Sequence, residues 1–276
     1  MCPSKYIIME YIASLSYGKD SIAMLEIINQ HNMPIDRIVH VEIMATETIS
    51  ADLPEVNDWK KQADKIIYQR YGIEVEHIRS QKTFEQLFFS IPKRKKCNAD
   101  KQGTIRGFPS LRSQWCSREL KADVMTKTNR KNVQYIGIAA DEHKRHSQLN
   151  SHIRSPLVEH NVTEAECLQI CSEIGLLAPT YLQSKRSGCW FCPAQPTEQL
   201  RLLRKQHPEL WKKLLEWDSF TTIPFRHAGI GKREVSVADF DKRFELEELG
   251  ILDKNTSNFR WSKLYFYEKQ LMFQEF

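Results

Sequence analysis

The segment Ser14-Leu-Ser-Tyr-Gly-Lys-Asp-Ser21 has residue types suited to binding a phosphate group. Small and hydroxyl-bearing residues let the backbone bend around an anion, and a helix that begins there adds its positive end. Lys19 adds a full positive charge. The segment is not the G-x-x-x-x-G-K-S/T loop, because no glycine stands five residues before Gly18. The alternative is a serine-rich turn that only caps a helix, and Ser16 and Ser21 suit both interpretations.

Two further groups of charged residues have spacings that suit phosphate chemistry. Arg118 and Lys121 are three positions apart on an expected helix, so they share one face and suit phosphate or sulfate oxygens, unless they are a plain surface pair. Asp141 and Glu142 directly follow an apolar run. These carboxylates suit Mg²⁺ on a pyrophosphate, and they equally suit the cap of the next helix.

The cysteines indicate a metal site and not a disulfide framework. Seven cysteines among 276 residues are too few for a disulfide scaffold, and Cys189 and Cys192 have the C-x-x-C spacing of a metal knuckle. Two thiolates do not complete a tetrahedral site, and the best candidates are Cys116 for the third ligand and Cys171 for the fourth, with Cys97 in reserve. The alternative is that Cys167 and Cys171 are small buried hydrophobic residues of an amphipathic helix.

The segment from Lys93 to Arg112 is rich in positive charge. It begins with Pro92-Lys-Arg-Lys-Lys-Cys97 and continues to Lys101 and Arg106, in a chain whose formal net charge is +5. Such a cluster suits a polyanion, with nucleic acid as a candidate. A solvated lysine-rich loop is the alternative.

The elements that would position these residues alternate between short apolar runs and longer amphipathic segments, a pattern typical of α/β proteins. We therefore predict a parallel twisted sheet flanked by helices. The predicted strands are 6–13, 37–43, 73–78 and 133–140, and the predicted helices are 20–32, 54–71, 111–129, 163–174, 197–206, 209–217 and 237–250. The phosphate-binding segment and Asp141 both follow strands, and the carboxyl ends of parallel strands are where ligands bind.

Length and composition predict a globular, cytoplasmic protein. Hydrophobic residues make up 41% of the chain and charged residues 27%, enough to bury a core. The sequence has no apolar run of about 20 residues and no signal-peptide pattern, so no membrane association is expected. We expect a nucleotide-binding domain over residues 1–185 and a cysteine-knuckle and helical region over 186–276.

Four segments resemble the phosphoadenosine-phosphosulfate (PAPS) reductase branch of the ATP-pyrophosphatases. Ser16-Tyr17-Gly18-Lys19-Asp20-Ser21 is similar to the family's S-G-G-K-D-S loop, with Tyr17 in place of glycine. The other three are Gln114-Trp-Cys-Ser-Arg-Glu-Leu-Lys121, Gly137-Ile-Ala-Ala-Asp-Glu142 and Ser187-Gly-Cys-Trp-Phe-Cys-Pro193, of which the second has Ala139 where arginine is common. The resemblance covers roughly residues 5 to 200.

The resemblance implies an adenine nucleotide alpha-hydrolase-like fold that binds ATP with Mg²⁺. Relatives with the cysteine knuckle imply a [4Fe-4S] cluster, and zinc remains open. The implied nucleotide-binding residues are Ser14, Ser16, Tyr17, Gly18, Lys19, Asp20, Ser21 and Lys121, and the implied catalytic residues are Lys19, Asp20, Arg118 and Asp141.

The activity that the resemblance implies is adenylation of an acceptor for sulfur transfer, near the pyrophosphatase component of DNA phosphorothioation systems. A cysteine desulfurase would be a partner, and the basic segment 93–112 would contact DNA. The chain has no cysteine after Cys192 and no adjacent cysteine pair, which argues against a sulfonucleotide reductase. That reductase and a non-catalytic nucleotide-binding regulatory module are the alternatives.

Overall fold

The structure is a computed structural model, and it describes residues 9–93, 103–110, 114–129, 132–182, 188–226, 234–254 and 259–267. The chain divides into two compact units. The first unit comprises the described residues of Met1–Phe84 and Ser117–Cys189, and the second those of Glu85–Cys116 and Trp190–Phe276. The segment 85–116 thus belongs to the second unit, although the chain returns to the first unit after it.

A five-stranded parallel sheet forms the centre of the first unit, with strand order β3-β2-β1-β4-β5. The strands are β1 (Tyr11–Ser14), β2 (Arg37–Glu42), β3 (Val75–Arg79), β4 (Val133–Tyr135) and β5 (Ile153–Arg154). The chain leaves β1 toward β2 on one side and later reaches β4 on the other side of β1. This reversal of direction creates a crevice at the carboxyl ends of β1 and β4.

The helices described in the structure follow the strands in the expected alternation. They are α1 (Lys19–Gln30), α2 (Pro54–Tyr71), α3 (Phe84–Phe88), α4 (Trp115–Ser117), α5 (Asp123–Asn129), α6 (His143–His146), α7 (Pro156–Glu159), α8 (Glu164–Glu173), α9 (Thr197–Gln206), α10 (Pro208–Ser219) and α11 (Val237–Glu248). A π-helical turn, Arg118–Ala122, joins α4 to α5, and short 3₁₀ helices occur at Pro179–Leu182 and Trp261–Lys263.

Local sequence signals explain where several helices begin and end. Pro54 opens α2, where a missing N–H costs nothing, and Gly72 closes it with a φ of 71°. Thr163 and Glu166 form a full capping box before α8, as the sequence predicts. Ser236 and Asp239 form an equivalent box before α11.

The core of the first unit lies between the sheet and helices α1 and α8. Apolar side chains of α1, among them Ile22, Leu25 and Ile28, are buried with Ala13 of β1 and Ile38 of β2. A buried carboxylate adds a specific tie, because Glu26 of α1 accepts two hydrogen bonds from Arg70 of α2, at 2.7 and 2.8 Å. The pKa of Glu26 is lowered by these hydrogen bonds against the opposing effect of burial.

The second unit has an aromatic core. Trp217 of α10 stacks on Trp190 at 5.4 Å and on Phe88 at 5.9 Å between ring centroids, and Phe108 packs edge-on against Phe88. The indole N–H of Trp217 donates to Glu85 at 2.9 Å, so the polar atom of this buried side chain is satisfied.

The predicted fold class is confirmed: a parallel sheet is flanked by helices, and the C-terminal part is mainly helical. Helices α2 and α9 have the predicted bounds. The predicted strand 133–140 was too long, because β4 ends at Tyr135 and the chain then turns toward α1. The predicted helix 111–129 is described from residue 115 and is interrupted by the π-helical turn. Strand residues 6–8 lie outside the described residues.

Across the described part of the chain, none of the helices combines the length and the apolar character that crossing a bilayer requires.

Gly137 allows the chain that follows β4 to lie directly against the start of α1. A Cβ atom built on Gly137 would lie 2.6 Å from the backbone carbon of Asp20 and 2.6 Å from the backbone nitrogen of Ser21. Neither backbone atom belongs to a flexible side chain that could swing away, so only glycine fits this approach.

We predict that Gly137→Ala lowers the free energy of unfolding by about 1–3 kcal/mol, because the added methyl forces two backbone segments apart. Urea unfolding measures the change. Gly188→Ala is the matched control, since a Cβ on Gly188 meets nothing within 4 Å. Equal stability of the two variants would contradict the close approach.

Candidate functional site

The chain after β1 bends into a short loop, residues 15–18, and enters α1 at Lys19. This loop lies at the carboxyl edge of the sheet beside the crevice between β1 and β4. The structure thus puts the serine-rich segment where backbone N–H groups and the positive end of α1 meet, the arrangement that binds anions in other proteins.

Ser21 is the internal brace of this loop. Its hydroxyl donates to the carbonyl of Gly18 at 2.9 Å and accepts from the backbone N–H of Ser16 at 3.1 Å. The hydroxyl of Ser16 donates to the same Ser21 oxygen at 3.0 Å. Ser14 lies just before the loop and accepts a hydrogen bond from Gln134 of β4 at 2.7 Å. Ser16 of the loop and Ser21 of α1 therefore fix the shape of the loop, but the N-cap residue of α1, Gly18, receives no side-chain capping bond. Capping and anion binding both stay predictions for these serines.

Tyr17 adopts a φ of 58°, the left-handed conformation that a glycine takes without strain. Its side chain is 2% exposed, and its hydroxyl donates to Asp64 of α2 and lies 3.3 Å from Nε2 of His77 in β3. Burial, followed by the hydrogen bond to Asp64, raises the pKa of Tyr17. Tyr17 thus takes a backbone conformation that glycine adopts without strain, and its side chain points away from the loop into the protein.

Lys19 and Asp20 form the charged part of the site. Nζ of Lys19 lies 2.5 Å from Oδ1 of Asp20 and 3.5 Å from Oε2 of Glu164 in α8. Burial acts to lower the pKa of Lys19, but the hydrogen bond and charge of Asp20 and the charge of Glu164 outweigh it and raise that pKa. Lys19 therefore stays cationic at neutral pH, with carboxylates beside it that partly neutralise its charge.

The backbone N–H of Lys19 has an unexpected partner. It donates at 3.1 Å to the hydroxyl of Tyr181, from the 3₁₀ helix that follows α8. An N–H in the first turn of a helix has no partner within the helix and is a donor that a phosphate oxygen could use. In this structure a tyrosine hydroxyl takes that position.

The segment after β4 contributes Asp141 and Glu142 to the other side of the crevice. Oδ1 of Asp141 accepts from the backbone N–H of Glu164 at 3.1 Å, so this carboxylate caps α8. Glu142 pairs with Arg145 at 2.7 Å. The cap predicted for the next helix, α6, is not observed, because its N-cap residue Glu142 makes no side-chain capping bond, and Asp141 bonds to the first N–H of α8. The role of Asp141 as a magnesium ligand stays a prediction.

A buried chain of polar groups lies beneath the loop. Nδ1 of His40 in β2 donates to the carbonyl of Leu15 at 2.8 Å, and Nε2 of His40 accepts from Nζ of Lys60 at 3.0 Å. Lys60 also donates to Asp52 at 2.6 Å. Burial, then the charge of Lys60, lowers the pKa of His40 well below its usual range, with smaller contributions from His77 and Lys121. His40 is therefore neutral, with its proton on Nδ1.

The π-helical turn carries Arg118 and Lys121, and it corrects one premise of the sequence prediction. In a π-helix each turn takes more residues than in an α-helix, so positions three apart diverge and do not share one face. Arg118 is 69% exposed and pairs with Glu119 at 3.1 Å. Lys121 lies near enough to His40 for its charge to act on that ring. Such turns are frequent at functional sites.

Cys167 and Cys171 lie in the core of the first unit between α8 and α1, and neither is exposed. Sγ of Cys171 donates to the carbonyl of Lys19 at 3.1 Å, and burial raises the pKa of Cys171 to about 12. Burial also raises the pKa of Cys167. This geometry fits the packing alternative, because metal ligation needs a thiolate. Cys171 as the fourth ligand stays a prediction.

The other predicted ligands are half-buried and fall in different units: Cys189 ends the first unit, whereas Cys116 and Cys192 belong to the second. Within the second unit, the chain that leaves Cys192 turns at once, with the N–H of Gln195 donating to the carbonyl of Cys192 at 3.2 Å. Among the residues that the structure describes, no three His, Cys, Asp or Glu side chains are gathered as metal ligands.

Arg226 holds the turn after Cys192. Its guanidinium donates to the carbonyl of Pro193 at 2.9 Å and to that of Gln195, and it lies 4.7 Å from the ring centroid of Phe240. Burial lowers the pKa of Arg226 to about 10, and the nearby Cys192 acts in the opposite direction. The C-x-x-C pair thus has a donor chemistry that fits a soft metal and a turn that is braced on its C-terminal side.

The basic segment 93–112 is described only in part. Lys93 and residues 103–110 belong to the described residues, whereas 94–102, 111 and 112 do not. Arg106 lies over the ring of Trp115 at 5.0 Å, a contact within the second unit.

No family model matches the chain, and no curated protein sequence matches it. One solved structure with a similar backbone is the U34-tRNA thiolase NcsA from Methanococcus maripaludis with its [4Fe-4S] cluster. The identity is 17% and the TM-score 0.35, with 90% of this chain and 83% of that chain covered. A likeness at this level carries no argument about activity.

Several residues of the site were not found from the sequence: His40, Asp52, Lys60, Asp64, His77 and Tyr181. They come from β2, the segment between β2 and α2, α2, β3 and the 3₁₀ helix after α8, which are far apart in the chain. One signal was present, because His40 lies at the centre of a strand whose other central residues, Ile38, Val39 and Val41, are apolar. A histidine there needs buried partners.

We predict that acid destabilises the fold through His40. The unfolded chain binds a proton at His40 near pH 6.5, whereas the folded chain resists it, so stability is fully present above that pH and falls below it. Below pH 6.5, the free energy of unfolding should fall with a slope that approaches about 1.4 kcal/mol per pH unit for one proton. Urea unfolding at pH 7.5, 6.5 and 5.5 measures it.

His40→Asn should flatten this slope, because an amide can donate to the carbonyl of Leu15 without titrating. His152→Asn is the control, since His152 is exposed, and it should keep the slope of the unchanged chain. An unchanged slope in His40→Asn would assign the acid sensitivity to other groups.

Proposed function

We propose that this chain is an ATP-pyrophosphatase that adenylates an acceptor for sulfur transfer. The observation that carries the proposal is the loop 15–18 with Lys19, held at the start of α1 on the carboxyl edge of a parallel sheet. The four motif segments of the PAPS reductase-like family support it. The segments 16–21 and 137–142 lie wholly in the first unit, whereas the described parts of 114–121 and 187–193 are divided between the two units.

In the proposed reaction an oxygen of the acceptor attacks the α-phosphorus of ATP. The bond from that phosphorus to the bridging oxygen breaks, and pyrophosphate leaves with the electron pair. A sulfur nucleophile then attacks the activated carbon or phosphorus of the acceptor and displaces AMP. The chain's part is to orient the phosphates and to neutralise their charge, so no Ser-His-Asp arrangement is needed.

Each residue of the site has a definite role in this proposal. The N–H groups around Gly18 and the cation of Lys19 hold the leaving pyrophosphate. Arg118, which is exposed, is free to reach phosphate oxygens by leaving its partner Glu119. Asp20 keeps Lys19 in place, and Asp141 would hold Mg²⁺ only by giving up its hydrogen bond to α8.

For the metal we propose Cys189 and Cys192 as ligands, with Cys116 as the third and Cys171 as the fourth candidate. Thiolates at this spacing suit a [4Fe-4S] cluster or zinc, and a cluster would supply a site for binding or passing on sulfur. The turn after Cys192, which Arg226 holds through the carbonyls of Pro193 and Gln195, supports the pair, whereas the buried thiol of Cys171 fits the set least well.

For the acceptor we propose DNA, contacted through phosphates by the basic segment 93–112. A cysteine desulfurase would supply the sulfur. The sequence of this segment supports the proposal. Binding to duplex DNA that weakens steeply with added salt is the expected signature. Salt-insensitive binding of PAPS or adenylyl sulfate without DNA binding would favour the reductase alternative.

We predict that Lys19→Ala and Asp20→Ala each abolish ATP binding or turnover, because the first removes the loop cation and the second releases it from position. Calorimetric titration with MgATP measures binding, and exchange of labelled pyrophosphate into ATP in the presence of acceptor measures reversible adenylation. Lys65→Ala, an exposed lysine of α2, is the control and should bind ATP normally. Normal activity in both loop variants would refute the loop assignment.

We predict that Cys189→Ser loses the metal. Anaerobic purification followed by an absorbance spectrum and metal analysis should give about four irons per chain for the unchanged protein. The serine variant should lack both the iron and its absorbance. Zinc in the unchanged protein would contradict the cluster proposal and indicate a structural metal site. ATP binding without pyrophosphate exchange would favour the alternative of a non-catalytic regulatory module.

A further inference from the structure

Tyr17 combines two features that are costly unless the surroundings enforce them. A residue with a side chain rarely adopts a φ of 58°, and strain of this kind persists where neighbouring contacts determine the conformation. A polar hydroxyl buried with the ring also needs a partner. Both conditions are met in the same place, at the third residue of the loop 15–18 that is proposed to bind phosphate.

The contacts of Tyr17 reach three elements beneath the loop. Its hydroxyl donates to Asp64 of α2 and lies 3.3 Å from Nε2 of His77 in β3, and these two partners are 3.0 Å apart. Its ring packs edge-on against His40 of β2 at 4.7 Å between centroids, and Nζ of Lys60 lies 4.9 Å from the ring centre. A glycine at this position would leave the loop without any of these ties.

A second tie acts on the residue where the loop begins. The carbonyl of Leu15 accepts from His40, which is held in turn by Lys60, and Lys60 by Asp52. His40 therefore contacts the loop twice, through the ring of Tyr17 and through the carbonyl of Leu15. The ring contact with Tyr17 and the hydrogen bond to Leu15 are both made by the buried His40, so we expect the two interactions to act together.

We propose that Tyr17, His40 and Lys60 form a positioning unit that keeps the loop in its anion-binding shape before a nucleotide arrives. The inference rests on the proposed function, and it concerns how the loop is prepared for the phosphates. Donors that are already in place bind an anion without an ordering cost, so a looser loop binds it more weakly. Tyr17 acts through the backbone and is a positioning residue.

The test compares Tyr17→Phe and Tyr17→Gly with the unchanged chain. Tyr17→Phe keeps the ring and removes the hydroxyl, and we expect the dissociation constant for MgATP to rise about tenfold. Tyr17→Gly relieves the φ strain but removes every tie, and it should bind at least as weakly as Tyr17→Phe. Tighter binding of MgATP by Tyr17→Gly than by Tyr17→Phe would overturn the proposal, because the tyrosine side chain would then weaken the binding of phosphate by the loop.

The matched control is Tyr68→Phe, the same chemical change on α2 at a side chain that is 53% exposed, and it should leave ATP affinity unchanged. Asp64→Ala removes the acceptor of the Tyr17 hydroxyl and should weaken binding as Tyr17→Phe does, and the double variant should be no weaker than either, since both act through one interaction. Full additivity would contradict this interaction. Asp64→Ala also keeps the test available if Tyr17→Phe fails to fold.

A nucleotide-free measurement separates this inference from the proposed function. Amide hydrogen exchange of residues 16–21 in the ligand-free chain should quicken about tenfold in Tyr17→Phe, while the C-terminal half of α1 is unchanged. Quicker exchange in a chain that binds no ATP would refute the proposed function and leave the positioning unit standing. Unchanged exchange would overturn the positioning unit, whatever the ATP affinity.

Discussion

The candidate site depends on one backbone contact, the approach of the chain after β4 to the first turn of α1. Gly137 permits it, since any side chain there would meet the backbone of Asp20 and Ser21. After β4 ends at Tyr135, the chain runs past this contact to Asp141, which accepts a hydrogen bond from the first N–H of α8. Helix α8 then packs on α1 and presents Cys171 to the carbonyl of Lys19. The close approach of two backbone segments thus aligns the two sides of the crevice.

The charges of the site are arranged in pairs. Lys19 has Asp20 and Glu164, and Lys60 has Asp52. Paired charges tolerate partial burial far better than isolated ones. Under the proposed function, the negative charge of a triphosphate would approach Lys19 and Lys60 when both are already paired, so its binding would have to redistribute these pairs. The carboxylates near Lys19 are therefore as much a part of the site's electrostatics as the lysine itself.

The sequence predicted the parts of the fold that depend on local pattern. Pro54, the capping box at Thr163 and the apolar period of α1 act within a few residues, so the corresponding helices were found with nearly correct bounds. Strand β5 has two residues, too few for any periodicity, and it was missed. The π-helical turn at Arg118 was read as ordinary helix, because its residue types do not distinguish the two.

The site was predicted less completely than the fold, for a physical reason. The loop residues share one short segment, and their types alone suggest an anion. Their supports, His40, Lys60 and Asp64, are ordinary residues of a strand and a helix that become neighbours only when the sheet forms. In the sequence, Tyr17 differs from the glycine of the loop that this segment resembles. Only the structure shows that a positive φ and a buried hydroxyl bonded to Asp64 accommodate the tyrosine.

The hydroxyl of Tyr181 holds the N–H of Lys19, a donor that the proposed phosphate site would use. Under the proposed function, a phosphate oxygen would take this N–H only if the hydroxyl left, so its affinity would be the difference between two contacts with one donor. That hydroxyl belongs to the 3₁₀ helix Pro179–Leu182. Binding of a phosphate would therefore release one hydrogen bond that anchors this 3₁₀ helix to α1.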